Sequence, residues 1–93
     1  MKEVLMFYLE DCGYCRKAET ALEELFRENP AYREIPLRRI EESREPELAA
    51  RYDYYAVPTF YVDGKKQFEA HLFMTYPQIR DAVKAALDAA LEA

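Results

Sequence analysis

The first apolar segment of the chain, residues 4–9, is a continuous run of six hydrophobic side chains. A run of this length without polar alternation is typical of a strand that is covered on both faces of a sheet. We therefore predict a strand in the middle of a sheet. The run ends at Glu10 and Asp11, and it is too short for the core of a signal peptide or for a membrane span.

The pattern then changes to the period of an amphipathic helix. One face carries Ala18, Ala21, Leu22, Leu25 and Phe26, and the other carries Glu19, Glu23, Glu24 and Arg27. The pair Asn29-Pro30 ends this pattern. We predict a first helix with two cysteines at its N-terminal end.

The middle of the chain predicts an edge strand followed by a short helix. Ile35, Leu37 and Ile40 lie among arginine and glutamate residues, and this half-regular alternation favours a strand at the edge of the sheet. Residues 45–50 resemble a short helix with Pro46 in its first turn.

A hairpin and a long helix complete the pattern. Residues 59–62 and 66–71 flank Asp63-Gly64, a dipeptide that supplies the positive φ angles of a tight turn. Apolar side chains then recur four apart at Ile79, Val83, Leu87 and Leu91. Residues 75–78 combine the spacing of a capping box with a proline near the helix start.

The predicted order is therefore β-α-β-α-β-β-α, which is an α/β arrangement. It implies a parallel βαβ unit and an antiparallel hairpin in one four-stranded mixed sheet, with three helices distributed over both faces. The length of 93 residues suits a single domain, residues 1–93.

Charge and cysteine content narrow the function classes. Thirteen basic and 18 acidic residues leave a net charge of −5 without a dense basic cluster, so we expect no nucleic-acid partner. A disulfide between the two cysteines would close only a small loop and would stabilise the fold little. Such a pair suits a reducing compartment, and we expect a soluble cytoplasmic monomer with no membrane partner.

The two cysteines, Cys12 and Cys15, are the candidate chemistry of the chain. A sulfur in the first turn of a helix faces free backbone N–H groups and the positive end of the helix dipole, which favour the nucleophilic thiolate. Cys12 is the predicted attacking sulfur, and Cys15, one turn later, is the predicted resolving one. A zinc site needs four ligands, whereas this chain adds only His71 to the two thiols.

A strand that leads into Cys12-Gly13-Tyr14-Cys15, with Val57-Pro58-Thr59 opening a later strand, resembles the thioredoxin superfamily. The resemblance covers nearly the whole chain and extends to residues 48–52 and 62–65. The start at the first core strand is similar to the compact, glutaredoxin-sized members. The resemblance implies a thioredoxin-like fold.

The resemblance also implies a substrate site. Pro58 would be cis and would lie against the cysteines, and the backbone of Val57 would pair with an extended substrate. Thr59 belongs to the same motif. We expect the ring of Tyr14, between the cysteines, to be exposed and to contact the substrate.

Departures from the family patterns bear on the subfamily. Thioredoxins have Trp before the first cysteine and Gly-Pro between the pair, and their buried acid corresponds here to Met6. Glutaredoxins have a lysine at the position of Leu9 and a Gly-Gly-acid turn where this chain has residues 70–75. We therefore predict a reductase of protein disulfides that needs no bound cofactor. An external reductase or a low-molecular-weight thiol would reduce its disulfide again. Glutathione is disfavoured as this reductant.

Two other interpretations stay open. The cysteines would hold a metal, or an iron–sulfur cluster shared by two copies, in a glutaredoxin-like binding module. Alternatively, the disulfide would control the binding of one partner, which would make the chain a redox-sensing interaction domain.

Overall fold

The computed structural model describes residues 1–92, which form a mixed four-stranded sheet with three α-helices. The elements are β1 (Val4–Tyr8), α1 (Gly13–Glu28), a 3-10 helix (Pro30–Glu34), β2 (Leu37–Glu41), α2 (Pro46–Ala49), β3 (Thr59–Val62), β4 (Lys65–Glu69) and α3 (Tyr76–Leu91). The strand order is β2-β1-β3-β4. This is the predicted α/β fold, and its element order is confirmed.

Strand β1 lies inside the sheet, between a parallel and an antiparallel neighbour. Val4 is opposite Leu37 of parallel β2 and opposite Val62 of antiparallel β3. Its first four residues are buried, as the continuous apolar run predicted. β2 is an edge strand, which is also confirmed.

The two faces of the sheet bury different sets of side chains. One face packs against α1 and α3. The core between this face and the two helices includes the buried residues Met6, Leu22, Leu25, Phe60, Ile79, Val83 and Leu87. On the other face, Leu5, Phe7, Ile40 and Tyr61 pack against α2 and the segment that follows it. Helices therefore cover both faces of the sheet, as predicted.

The end of α1 differs from the prediction in one respect. The helix ends at Glu28 before Asn29, as expected, but the side chain of Asn29 accepts a hydrogen bond from Ala31 N at 3.1 Å and caps a 3-10 helix. Ile35 ends that helix, since its N–H donates to Tyr32 O at 3.2 Å. The prediction that Ile35 belongs to the second strand is therefore wrong, and β2 begins at Leu37.

The hairpin has the predicted turn but a different second strand. Asp63 and Gly64 have φ angles of 52° and 78°, as a two-residue type I′ turn requires. This turn pairs Lys65 directly with Val62, so β4 begins one residue earlier than predicted. A bulge at Gln67 shifts the register, and β4 ends at Glu69 rather than at residue 71.

Helix α3 begins as its sequence predicts. Thr75 Oγ1 accepts from Gln78 N at 3.3 Å, and Gln78 Oε1 accepts from Thr75 N at 2.9 Å, which completes a capping box. Within residues 1–92, no helix has the length and apolar character needed to cross a membrane.

Candidate active site

Cys12 caps the N-terminus of α1 with its own sulfur. Its backbone is extended, and its Sγ accepts a hydrogen bond from Cys15 N at 3.2 Å. An N-cap side chain normally satisfies a free N–H of the first turn with an oxygen. Here the sulfur takes that place, so a negative charge on Cys12 would meet an N–H donor and the positive end of the helix dipole.

The loop before β3 lies against the same sulfur. Cys12 Sγ donates to Val57 O across 3.6 Å, although the two residues are 45 positions apart in the chain. The Val57–Pro58 peptide bond is cis, which is the conformation that the resemblance implied. Thr59 is buried, and its hydroxyl donates to Ala56 O at 2.6 Å.

Cys15 lies beneath Cys12 in a very different environment. Its side chain is only 3% exposed, whereas Cys12 is half-buried. Burial, and next the hydrogen bond with Cys12, raise the pKa of Cys15 from 9.0 to about 12. The negative charge of Glu42, whose carboxylate accepts from Tyr54 Oη at 3.0 Å, contributes in the same direction. The structure therefore separates one accessible sulfur from one shielded thiol.

Tyr14 is less exposed than the sequence predicted. It is half-buried and contacts the core between α1 and the sheet. Its hydroxyl accepts a hydrogen bond from Phe73 N at 2.7 Å, and the Lys17 ammonium lies 5.5 Å from its ring centre. Tyr14 is thus hydrogen-bonded to the loop that connects β4 and α3.

That loop forms one wall of an apolar groove beside Cys12. The groove, of about 240 Å³, is lined by Tyr14, Ala56, Val57, Ala70, His71 and Leu72. Leu72 of this lining is 72% exposed, and the adjacent Phe73 is 89% exposed. The sequence analysis considered this segment only as a missing Gly-Gly-acid turn and overlooked it as a surface. Two large apolar residues in a loop were the signal that was available.

The opposite side of Cys12 is charged. A second cavity, of about 390 Å³, is lined by Leu9, Glu10, Asp11, Cys12, Glu41, Ser43 and Arg44. Hydrogen bonds from the Ser43 hydroxyl and backbone hold the pKa of the Glu41 carboxyl below its usual range. Arg44 pairs with Glu10 at the rim. Cys12 therefore stands at the border between an apolar and a charged surface.

The predicted site residues are brought together in part. Cys12, Cys15, Tyr14 and Val57 meet at one end of the sheet. Pro58 and Thr59 lie directly behind Val57 and are buried. Met6, at the position of the family's buried acid, is fully buried in the core.

Comparisons with known proteins agree with this fold. The thioredoxin family model matches residues 1–87. No curated protein sequence matches the chain significantly. A solved structure of a malarial protein is 19% identical, with a TM-score of 0.63 over 94% of this chain and 98% of that one. A mutant thioredoxin from Halobacterium salinarum NRC-1 is 22% identical, with a TM-score of 0.57 over 92% of this chain and 74% of that one. These two structures share the fold, and the family match shows that this chain belongs to the thioredoxin family.

Proposed function

We propose that the protein is a thiol–disulfide oxidoreductase that reduces disulfides of other proteins through Cys12 and Cys15. The observation that carries the proposal is the arrangement of an accessible Cys12 sulfur at a helix start, 3.2 Å from Cys15 N, above a buried Cys15 thiol. Val57 O beside Cys12 offers a backbone acceptor to an extended substrate. We also propose that the apolar groove at Tyr14 receives substrate side chains.

The reaction has two exchange steps. The Cys12 thiolate attacks one sulfur of the substrate disulfide, so a Cys12–substrate bond forms and the other substrate sulfur leaves as a thiolate. Cys15 then loses its proton and attacks Cys12 Sγ, which releases the second substrate thiolate. Two electrons have passed to the substrate, and Cys12–Cys15 is a disulfide. An external reductase or a low-molecular-weight thiol returns it to the dithiol.

The shielding of Cys15 supports this order of steps. Because its pKa is raised to about 12, Cys15 is a protonated and weak nucleophile at neutral pH. It therefore does not compete with Cys12 for the incoming disulfide. Once the mixed disulfide has formed, the nearby Cys12 sulfur becomes its target, and proximity offsets the low thiolate fraction.

The residues around the site favour a reductant other than glutathione. Leu9 stands where glutaredoxins have lysine, and the loop after β4 carries exposed Leu72 and Phe73 rather than a Gly-Gly-acid turn. An apolar rim of this kind is poorly suited to the charged tripeptide glutathione. We propose a cytoplasmic enzyme whose dithiol is restored by another reductant and needs no bound cofactor.

Serine variants of the two cysteines test the proposal. With insulin as the disulfide substrate and dithiothreitol as the reductant, Cys12→Ser is expected to lower reduction to the uncatalysed rate of dithiothreitol alone. Cys15→Ser, the matched control, is reduced, freed of dithiothreitol and mixed with insulin, and is then expected to accumulate a mixed disulfide with the substrate, visible by mass. Full turnover by Cys12→Ser would overturn the role assigned to Cys12.

A redox titration of the purified protein under anaerobic conditions separates this proposal from the other two interpretations. We expect one cooperative two-electron transition when thiols are counted by alkylation in denaturant, with both cysteines alkylated in the reduced form and neither in the oxidised form. A metal-binding module would instead retain stoichiometric metal or show visible absorbance. A redox-sensing domain would form the disulfide but exchange slowly with insulin and change its binding of one partner.

A further inference from the structure

The segment that carries Val57 has no helix or strand of its own between α2 and β3, yet a single carboxylate binds its backbone. Glu69, the last residue of β4, accepts hydrogen bonds at its Oε2 from Tyr55 N at 2.7 Å and from Ala56 N at 2.9 Å. Its Oε1 accepts from Lys66 Nζ at 2.7 Å. The carboxylate thus joins β4 to the two residues that immediately precede Val57.

We propose that Glu69 is a positioning residue, which sets the backbone of Val57 opposite Cys12 and so determines how well the enzyme uses protein disulfides. This proposal rests on the proposed function. Glu69 acts through Ala56, whose N–H it binds and whose carbonyl accepts from the Thr59 hydroxyl at 2.6 Å.

The geometry gives this side chain a direct hold on the residues before Val57. Glu69 is opposite Thr59 in the β3–β4 ladder, so its base is fixed by the sheet. Ala70 N donates to Pro58 O at 3.0 Å and fixes the chain on the far side of Val57. Val57 is therefore held from both directions, by the sheet after it and by the Glu69 carboxylate before it.

The ionised carboxylate suits this task better than a neutral side chain. A carboxylate only accepts hydrogen bonds and accepts several at once, and bonds to an ionised group are about twice as strong as neutral ones. The Lys66 ammonium, followed by the two loop N–H groups, holds the pKa of Glu69 below its usual range. The group therefore stays charged through neutral pH.

Two disulfide substrates distinguish positioning from a general structural role. Insulin has to place its backbone beside Val57, whereas dithiobis(nitrobenzoate), a small aromatic disulfide, only has to reach Cys12. We expect Glu69→Ala to lower kcat/KM for insulin by about tenfold, mainly through KM, since two charge-assisted hydrogen bonds are lost. The rate with dithiobis(nitrobenzoate) should stay within about twofold of the wild-type rate.

Glu23→Ala is the matched control for the loss of one negative charge, because Glu23 is an exposed glutamate of α1.

A second variant keeps the test decisive if Glu69→Ala fails to fold. Glu69→Gln retains one acceptor oxygen for the loop but places an amide against Lys66, so it should fall between the wild type and Glu69→Ala in kcat/KM for insulin. Equal kcat/KM for insulin in the wild type and in the variant that folds would overturn the positioning role. Equal losses with both substrates would also overturn it. A wild type that reduces neither substrate would instead overturn the proposed function itself.

Discussion

Iodoacetamide is expected to modify Cys12 of the reduced, folded protein and to leave Cys15 intact. The reason is the raised pKa of Cys15, which moves from 9.0 to about 12 through burial and the hydrogen bond with Cys12. Because alkylation requires the thiolate, a change of that size lowers the reactive fraction by about a thousandfold near neutral pH. An exposed fraction of 3% slows access of the reagent further.

The assay uses single-cysteine variants, so that one mass shift reports one sulfur. Cys12→Ser retains only Cys15 and should alkylate more than about tenfold more slowly than the same variant does in denaturant. Burial, the largest cause of the pKa shift, remains in this variant. Cys15→Ser is the control and should alkylate readily when folded.

One result would refute this reasoning. If folded Cys12→Ser is alkylated at a rate within about tenfold of its denatured rate, Cys15 is neither shielded nor held as a thiol. The order of steps proposed above would then lose its physical basis, whereas the dithiol chemistry itself would still stand.

Three further predictions concern stability and local structure. The unfolded chain loses the Cys15 proton above about pH 9, whereas the folded state keeps it up to about pH 12. Cys15 should therefore lower the free energy of unfolding of the reduced protein by roughly 1 kcal/mol from pH 9 to 10. Raised pKa values of Tyr32, Tyr54 and Tyr76 act in the same direction, so urea titrations should show a smaller fall in Cys15→Ala, and equal falls in both proteins would contradict the assignment. Thr75→Ala removes the cap of α3 and should cost about 1 kcal/mol, and an unchanged urea midpoint would show that the cap contributes nothing. Tyr14→Phe removes the acceptor of Phe73 N and should speed hydrogen exchange of that amide, whereas unchanged protection would show that the bond does not form in solution.

Much of the fold could be predicted because local patterns and tertiary packing agree. The run at residues 4–9 lies in an interior strand, Asp63-Gly64 forms the turn it predicts, and Thr75 with Gln78 caps the last helix. Each of these features depends on neighbours in the sequence, either through burial on both faces or through backbone angles. Patterns of this kind are visible without any knowledge of distant contacts.

Most of the features that were missed depend on distant contacts. Ile35 is an exception, because it caps the end of a 3-10 helix through local bonds of Asn29 and Tyr32 that apolar spacing does not reveal. The bond from Phe73 N to the Tyr14 hydroxyl joins residues 59 positions apart. Glu69 looks like an ordinary charged residue of an edge strand, and only the fold brings it to Tyr55 and Ala56. The candidate site was thus predictable in its sulfur atoms but not in the groups that hold the surrounding loops.

The order of strands has a consequence for association. β2 and β4 are the two outer strands, and each has two consecutive exposed basic residues, Arg38-Arg39 on β2 and Lys65-Lys66 on β4. Long cationic side chains next to unpaired backbone groups disfavour the addition of another strand. Both borders of the sheet are therefore protected against continuous growth into stacked aggregates at high concentration.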